Sequence, residues 1–302
     1  MKFRFWGVRG SIPSPGPRTV RYGGNTTCIE VRGIDGTLIV LDAGTGLYAL
    51  AQDLMARRAP GDAIDANIFI THSHWDHIHG LPFFTPLFVK GSRVCLHGAH
   101  DPITGNGIEH VMGVQLQNSY FPVSEERMDA TITYRTLGVK EPHTIGEVRI
   151  DNVVMNHPVT NLGYRIASGG KSLFFTGDHE VFHNPHPAGS AEHLALQQEI
   201  DRRQIEIDAA MAGVDALIVD CSYTIEEYPS KLGWGHGTFD GALEMALRVG
   251  AKALYCTHHE PTRSDDELEA VFAEALARFE GRLNGRPGLQ VMLAREGLEV
   301  EL

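Results

Sequence analysis

The chain has 302 residues, 42% hydrophobic and 21% charged, a composition ordinary for a soluble globular protein of one large or two small domains. Its 26 basic and 38 acidic residues leave a net charge of −12, the wrong sign for gripping a long polyanion through a basic surface. No window holds the roughly 18 consecutive apolar residues that a membrane span needs, and the N-terminus enters a strand pattern without a signal-peptide block. Cys28, Cys95, Cys221 and Cys256 are widely spaced, without metal-knuckle pairing, and read as buried free thiols of a reducing cytoplasm.

Taken in order, Lys2 to Val8, Thr26 to Arg32 and Thr37 to Leu41 read as strands, the last two joined by a tight turn at Asp35-Gly36. Between the first two lie Gly7-Val8-Arg9-Gly10-Ser11 and a Pro/Gly-rich loop ending Tyr22-Gly23-Gly24-Asn25-Thr26. Such glycine density lets backbone approach a ligand closely, so Arg9, Ser11 and Asn25 are candidate phosphate contacts; an ordinary wide turn is the alternative. Asp42-Ala43-Gly44-Thr45-Gly46 opens a helix with Leu47, Leu50, Ala51, Leu54 and Met55 at helical spacing. Asn67 to Ile70 reads as a buried strand, and Ile78 to Leu87 can begin a helix.

Between those two stands Thr71-His72-Ser73-His74-Trp75-Asp76-His77. His72 and His74 are two apart, so in extended backbone they point the same way and can bite one metal. Asp76 and His77 lie past the bend and can face a second. Imidazole nitrogen with carboxylate oxygen suits zinc, manganese or iron. Three further candidates each follow a predicted strand: His157, Asp178 and His258, with His259 a rival to His258.

Downstream of the metal loop, Arg93 to His97 is a strand and Ile108 to Gln117 a helix, with Tyr120 and Phe121 as apolar anchors. Residues 98–128 read as a lid or pocket wall. Thr131 to Leu137, Val148 to Met155, Gly163 to Ala167 and Lys171 to Phe175 form a second group of strands. The helical stretch Ala188 to Ala212 has the length to cap the site or to pair two copies as a homodimer. Strand Asp215 to Val219, helix Phe239 to Val249 and strand Ala253 to Thr257 follow. Ser264-Asp265-Asp266-Glu267 is a capping box opening a helix to Leu283, and strands Leu289 to Leu293 and Leu298 to Leu302 close the chain. Two β-rich halves without repeat or linker suggest one domain over residues 1–302, with two sheets face to face and helices outside.

The metal loop resembles the His-x-His-x-Asp-His signature of the metallo-β-lactamase superfamily of dinuclear metallohydrolases. Within it the chain is similar to the phosphodiesterase branch of tRNA 3′-end-processing endonucleases, phosphonate-pathway cyclic phosphodiesterases and cyclic-nucleotide phosphodiesterases. The Gly-Val-Arg-Gly-Ser and Tyr-Gly-Gly-Asn-Thr pieces resemble its bacterial members, and matching motifs run to about His259. The resemblance implies a mixed α/β (α+β) fold, the four-layer αββα sandwich. It also implies two divalent metal ions, zinc or manganese with iron as a further option. His72, His74 and His157 would hold one, Asp76, His77 and His258 the other, and Asp178 would bridge them. Asp42 resembles the aspartate that orients ligand histidines, with helix capping as a competing role.

Trp234-Gly235-His236-Gly237-Thr238 resembles the Gly-His-Ser-Thr-like motif of the RNA-processing branch, whose histidine assists the leaving group; Asp220 resembles the carboxylate that orients it. Two metals about 3.5–4 Å apart can deprotonate a bridging water, and an alkoxide leaves readily only when protonated or metal-bound. The expected function is therefore phosphodiester hydrolysis of a small or cyclic nucleotide by a bridging hydroxide, with Asp76, His236 and Asp220 as catalytic groups. Expected partners are that nucleotide, with neither long nucleic acid nor membrane. The alternatives are an RNA 3′-end endonuclease, a thioester or lactone hydrolase, and a non-catalytic metal-binding module. The acidic charge and the short stretch from His157 to Asp178 argue against the first. Asp178, where one branch of β-lactamases has cysteine, argues against the second. Among the remaining histidines, His179 and His110 are the first to test.

Overall fold

The computed structural model describes residues 1–101, 103–285 and 288–302. Its strands are β1 (Lys2–Gly7), β2 (Cys28–Arg32), β3 (Leu38–Leu41), β4 (Asp65–Phe69), β5 (Arg93–Ala99), β6 (Thr131–Leu137) and β7 (His143–Ile145). Then come β8 (Val148–Val154), β9 (Leu162–Ser168), β10 (Lys171–Phe175), β11 (Ala216–Asp220), β12 (Ala253–Thr257), β13 (Gln290–Leu293) and β14 (Glu299–Glu301). The α-helices are α1 (Gly46–Arg57), α2 (Trp75–Ile78), α3 (Ile108–Gln115), α4 (Ala191–Met211), α5 (Phe239–Val249) and α6 (Asp265–Asn284). Two seven-stranded sheets result, in the orders β14-β1-β2-β3-β4-β5-β6 and β13-β12-β11-β10-β9-β8-β7.

The two-residue period of the strands builds the layers. In β3, Ile39 and Leu41 face the space between the sheets, while Leu38 and Val40 face the outer layer of α1 and α3. In β11 and β12, Ile218 and Tyr255 point inward, and Leu217, Val219, Leu254 and Cys256 point to an outer layer of α4, α5 and α6. Both faces of these strands are buried, which is why they read as continuous apolar runs. The architecture is the αββα sandwich.

Strand membership departs from the sequence order in two places. β6 joins the first sheet, pairing in parallel with β5 along its whole length, instead of grouping with β8 to β10. β14 returns to that same sheet and lies antiparallel to β1, with Val300 opposite Phe3, covering an edge that would otherwise be unpaired. The three-residue β7 is too short to show a period.

The helix expected over Ile78 to Leu87 is instead the one-turn α2, starting earlier, followed by 3-10 turns at Leu81–Phe83 and Thr85–Phe88. Pro82 and Pro86 remove the donors a continuous helix needs. Tyr120 is 69% exposed and anchors nothing, whereas Phe121 packs edge-on against Phe83. In α4 only Ile207 and Met211 are buried, where its last turns pack on the second sheet. Of the segment 98–128, residue 102 lies outside the described residues.

Topology brings the chemistry to one edge. β10, β11 and β12 are parallel, so Phe175, Asp220 and Thr257 end side by side, and β8 runs in the same direction. In the first sheet β3 and β4 are parallel, with Leu41 beside Phe69, so Asp42 and Thr71 emerge together. The Tyr164 hydroxyl donates to Ile70 O across the sandwich at 2.7 Å, tying the sheets beneath that edge. No helix among the described residues is long and apolar enough to cross a membrane.

Candidate metal centre

Of three overlapping groups of possible ligands at the strand ends, one joins Asp178, Asp220, His236 and His258, and two are built on the metal loop: His72, His74, His157 and Asp178, and Asp76, His77, His258 and Asp178. Within each, one potential ligand atom per residue lies within 4.8 Å of every other. Asp178 belongs to both and divides its carboxylate between them. Its Oδ2 lies 3.5 Å from His72 Nε2 and 4.0 Å from His157 Nε2. Its Oδ1 lies 3.2 Å from both His77 Nε2 and His258 Nε2. Asp76 Oδ2 closes the second group, 3.3 Å from His77 Nε2 and 3.2 Å from His258 Nε2.

The far nitrogen of four of these rings is held by a neighbour, which fixes where the lone pair points. His77 Nδ1–H donates to Asp42 Oδ2 at 2.7 Å. Asp42, at φ +58° and fully buried, also accepts from the Thr71 amide and hydroxyl. Its three donors all come from the metal loop, and the N-cap of α1 is Thr45, with no side-chain capping bond. His72 Nδ1 meets Thr71 Oγ1 at 3.1 Å, and His157 Nδ1–H donates to Gly235 O at 2.9 Å. His258 Nδ1 meets Ser222 Oγ at 3.0 Å, and that hydroxyl donates to Asp220 Oδ1. These contacts turn the Nε2 atoms inward.

Close backbone approach makes this packing possible. A Cβ on Gly10 would sit 2.2 Å from His258 Nδ1, and one on Gly235, at φ +87°, would sit 2.3 Å from His157 Nδ1. His258 itself adopts φ +57°, a conformation costly for a side chain of its size and held here by its surroundings. His259 turns away: its amide donates to Val8 O and its Nε2–H to Ala294 O, and burial pushes its pKa down to about 3.

The inward atoms His72 Nε2, His77 Nε2 and Asp178 Oδ1 are buried with no hydrogen-bond partner among the described residues. Orphaned buried polar atoms are costly, and several aimed at one point call for a ligand that accepts lone pairs. Electrostatics agree. Burial lowers the pKa of His72, His74 and His157, keeping those imidazoles neutral and able to donate. Burial also opposes charge on His77 and His258, but Asp178 and the adjoining carboxylates outweigh it, raising His77 well above the ordinary value and His258 to about 9. The carboxylates thus demand positive charge there. Imidazole and carboxylate donors in this arrangement fit divalent metal ions.

Beside this cluster His236 Nδ1–H donates to Asp220 Oδ2 at 2.9 Å, and the ring stacks on His258 at 4.8 Å between centroids. Burial opposes its charge, yet Asp220 and Asp178 raise its pKa above the usual imidazole value. Of the three phosphate-contact candidates, Ser11 reaches the cluster, but through its backbone: its amide donates to Asp76 Oδ2 at 2.7 Å. Arg9 does not. It is fully buried, and its guanidinium donates to Gly23 O, Glu260 O, Arg263 O and Asp265 Oδ1, because it ties the N-terminal loop to the start of α6. Asn25 is likewise engaged, with Glu296 on its amides and Thr45 on its side-chain oxygen. His179 is buried and accepts the Asn156 amide at Nδ1, a packing role, with its pKa pushed by burial down to about 4.

One buried residue escaped the sequence reading. Glu180 is buried and accepts from the Tyr228 hydroxyl and the Gly233 and Gly235 amides; nearness to Asp178 was its one signal. A cavity of about 240 Å³ lies between the metal loop and residues 99–111, and another of about 530 Å³ beside His157 and Glu180.

Comparison with known proteins gives a consistent family. Residues 37–259 match the model of the Beta-lactamase superfamily domain. The chain is 24% identical to the ribonuclease Z of Haloarcula marismortui over 330 aligned positions, 99% of this chain and 96% of that protein. Among solved structures, the metallo-beta-lactamase fold protein YhfI from Bacillus subtilis superposes with a TM-score of 0.66 at 20% identity, covering 99% of each chain. A diphosphatase of the PhnP family superposes with a TM-score of 0.62 at 19% identity, covering 100% of this chain and 97% of that one.

Proposed function

The chain belongs to the beta-lactamase superfamily of metal-dependent hydrolases, and from that premise we propose that it is a phosphodiesterase with two divalent cations, acting on a small or cyclic nucleotide. The observation that carries this reading is the carboxylate of Asp178, with one oxygen turned to each ligand group and His236 standing alongside on Asp220. His72, His74, His157 and Asp178 would hold one cation, and Asp76, His77, His258 and Asp178 the other. Zinc and manganese suit such donors. Cations so held supply Lewis acidity toward a phosphoryl group and lower the pKa of water.

The protein's own groups do the rest. Ser11 N–H takes one lone pair of Asp76 and fixes its orientation. Asp220 holds His236 through Nδ1 and favours the charged form of the ring, from which Nε2 would give its proton to the departing oxygen. A thioester expels a thiolate, which needs that proton less, whereas a lactone expels an alkoxide with the same need, so this feature weighs against the thioester alone. The net charge of −12 and the modest size of the adjoining cavities support a small substrate over structured RNA.

A second reading, cleavage at RNA 3′ ends, draws support from the similarity to ribonuclease Z over nearly the full length. One panel separates the two: zinc- or manganese-loaded protein assayed on cyclic mononucleotides, dinucleotides, bis(p-nitrophenyl) phosphate, a thioester and a short RNA with a 3′ trailer. Turnover of the small phosphodiesters, abolished in Asp178→Ala, is the expected result. A kcat/KM far higher on the RNA would transfer the assignment to the second reading, and acyl-only turnover would remove both.

A further inference from the structure

The cavity of about 240 Å³ between the metal loop and residues 99–111 has a mixed lining that no metal chemistry requires. Ile70 and His72 form one side, so it opens directly beside the first ligand group, and Ser73 stands at the junction. Ile108 and Val111 of α3 provide an apolar wall, and Ile103, 88% exposed, lines the rim. Asn106 and Thr160 add polar groups.

Charge disfavours one class of occupant. Among the described residues His72, His100 and His110 line the cavity but no lysine or arginine does, so a phosphate would meet imidazoles and no permanently charged side chain there. The acid present, Asp101, is already engaged by the Ile103 amide and the Thr104 hydroxyl. Size excludes another. Pockets for drug-sized ligands run to about 300–1,000 Å³, so this one takes a single ring system and not an oligomer. An alkyl chain would desolvate Asn106 and Thr160 without pairing them, which is costly. A sugar would gain nothing from Ile70, Ile108 and Val111. The Asn106 carboxamide has no hydrogen-bond partner among the described residues, and it both donates and accepts. That pattern complements the edge of a base, the pairing through which asparagine recognises adenine in nucleic acids.

We propose that this cavity is a nucleobase subsite, taking the uncharged heteroaromatic ring of a substrate whose phosphoryl group lies at the ligand cluster, with Asn106 reading the edge of the ring. The inference rests on the phosphodiesterase reading of that cluster and gives it a substrate class. Val111, partly buried against the core cluster that holds Ile70 and Ile108, gives the ring an apolar face, and the His72–Ser73 junction links the two parts of the site.

The test uses adenosine, guanosine, cytidine and uridine, which carry no phosphate, in equilibrium binding to the metal-loaded full chain. The same measurements are made on Asn106→Leu and Val111→Trp, with bound metal and thermal melting recorded for each. At least one nucleoside should bind saturably. Asn106→Leu should weaken that binding tenfold or more, Val111→Trp should abolish it, and KM for the matching cyclic mononucleotide should rise in step at unchanged metal content. If no nucleoside saturates, or if Asn106→Leu binds as the parent does, the subsite is wrong. Should Val111→Trp not fold, Asn106→Leu, in an irregular loop, decides alone. Nucleoside binding without any phosphodiester turnover keeps the subsite and removes the proposed function. Turnover without nucleoside binding does the reverse.

Discussion

Glu180 Oε2 accepts the amide of Gly235 at 2.8 Å, and the carbonyl of that same Gly235 accepts His157 Nδ1–H at 2.9 Å. One buried carboxylate therefore fixes a ligand histidine and, one residue further on, His236. Replacing it by glutamine sets an amide N–H against one of the three donors it now serves, at a cost of about 1–3 kcal/mol. Glu180→Gln should bind zinc about tenfold more weakly, the usual scale for losing a ligand's support. Calorimetric titration of the stripped protein measures this, and unchanged affinity would show that the 228–237 loop holds its shape without Glu180.

His236 should matter in proportion to how badly the leaving group needs a proton. For an alkoxide leaving group, His236→Ala should lower kcat by about 10²–10⁴-fold, the range of general acid catalysis. For p-nitrophenolate, already stable as an anion, the loss should be much smaller. Asp220→Asn should follow the same order more weakly. Steady-state kinetics on both substrate types provides the check, and equal losses on the two would assign His236 a structural role.

Asp42 accepts three donors, from the Thr71 amide and hydroxyl and from His77. Asparagine cannot accept all of them, and His77 would lose the partner that sets its tautomer. Asp42→Asn is expected to lower metal affinity by about 10–100-fold. In the parent protein a chelator should remove turnover and added zinc or manganese should restore it. Turnover that survives exhaustive chelation would count against the metal centre altogether.

Arg9 and Asp265 form an ion pair at 3.2 Å with both side chains buried. Removing one partner leaves the other charge unpaired, which typically costs about 3–5 kcal/mol. Arg9→Met should show that loss in urea denaturation. A raised KM with unchanged stability would return Arg9 to the role of a substrate contact.

His97 stacks flat on Phe69 at 4.1 Å, with His143 and Arg135 nearby and Asn67 Oδ1 3.4 Å from its Nε2. Burial first, then the charges of His143 and Arg135, push its pKa down to about 4 from an ordinary 6.5. The folded chain therefore binds fewer protons than the unfolded one between those values. The stability from neutral His97 is complete above about pH 6.5, falls as pH drops toward 4 and levels off below. The loss is on the order of 3 kcal/mol. His97→Gln should flatten that part of the profile relative to the parent; identical pH profiles would refute the assignment.

What the sequence by itself determined is what neighbouring positions dictate. The apolar spacing of Leu47, Leu50, Ala51 and Leu54 marks α1, and Ser264 with Glu267 marks the start of α6, where the reciprocal capping bonds form. The metal loop is legible for the same reason, since ligand-type residues there are crowded into a few positions after a strand. Tertiary structure alone decided where distant polar groups spend their hydrogen bonds. The spacing around Arg9 suits a phosphate contact, but Asp265 and the carbonyls of Glu260 and Arg263, some 250 positions away, capture its guanidinium. His258 and His259 are adjacent and chemically identical; only the backbone of Val8 and Ala294 draws the second away from the cluster. β14 is legible as a closing strand, but only the fold decides that it pairs with β1 and covers that edge. Periodicity and capping act over one turn or one pleat, whereas burial of a charge or closure of a sheet edge is settled by whichever segment the fold brings alongside.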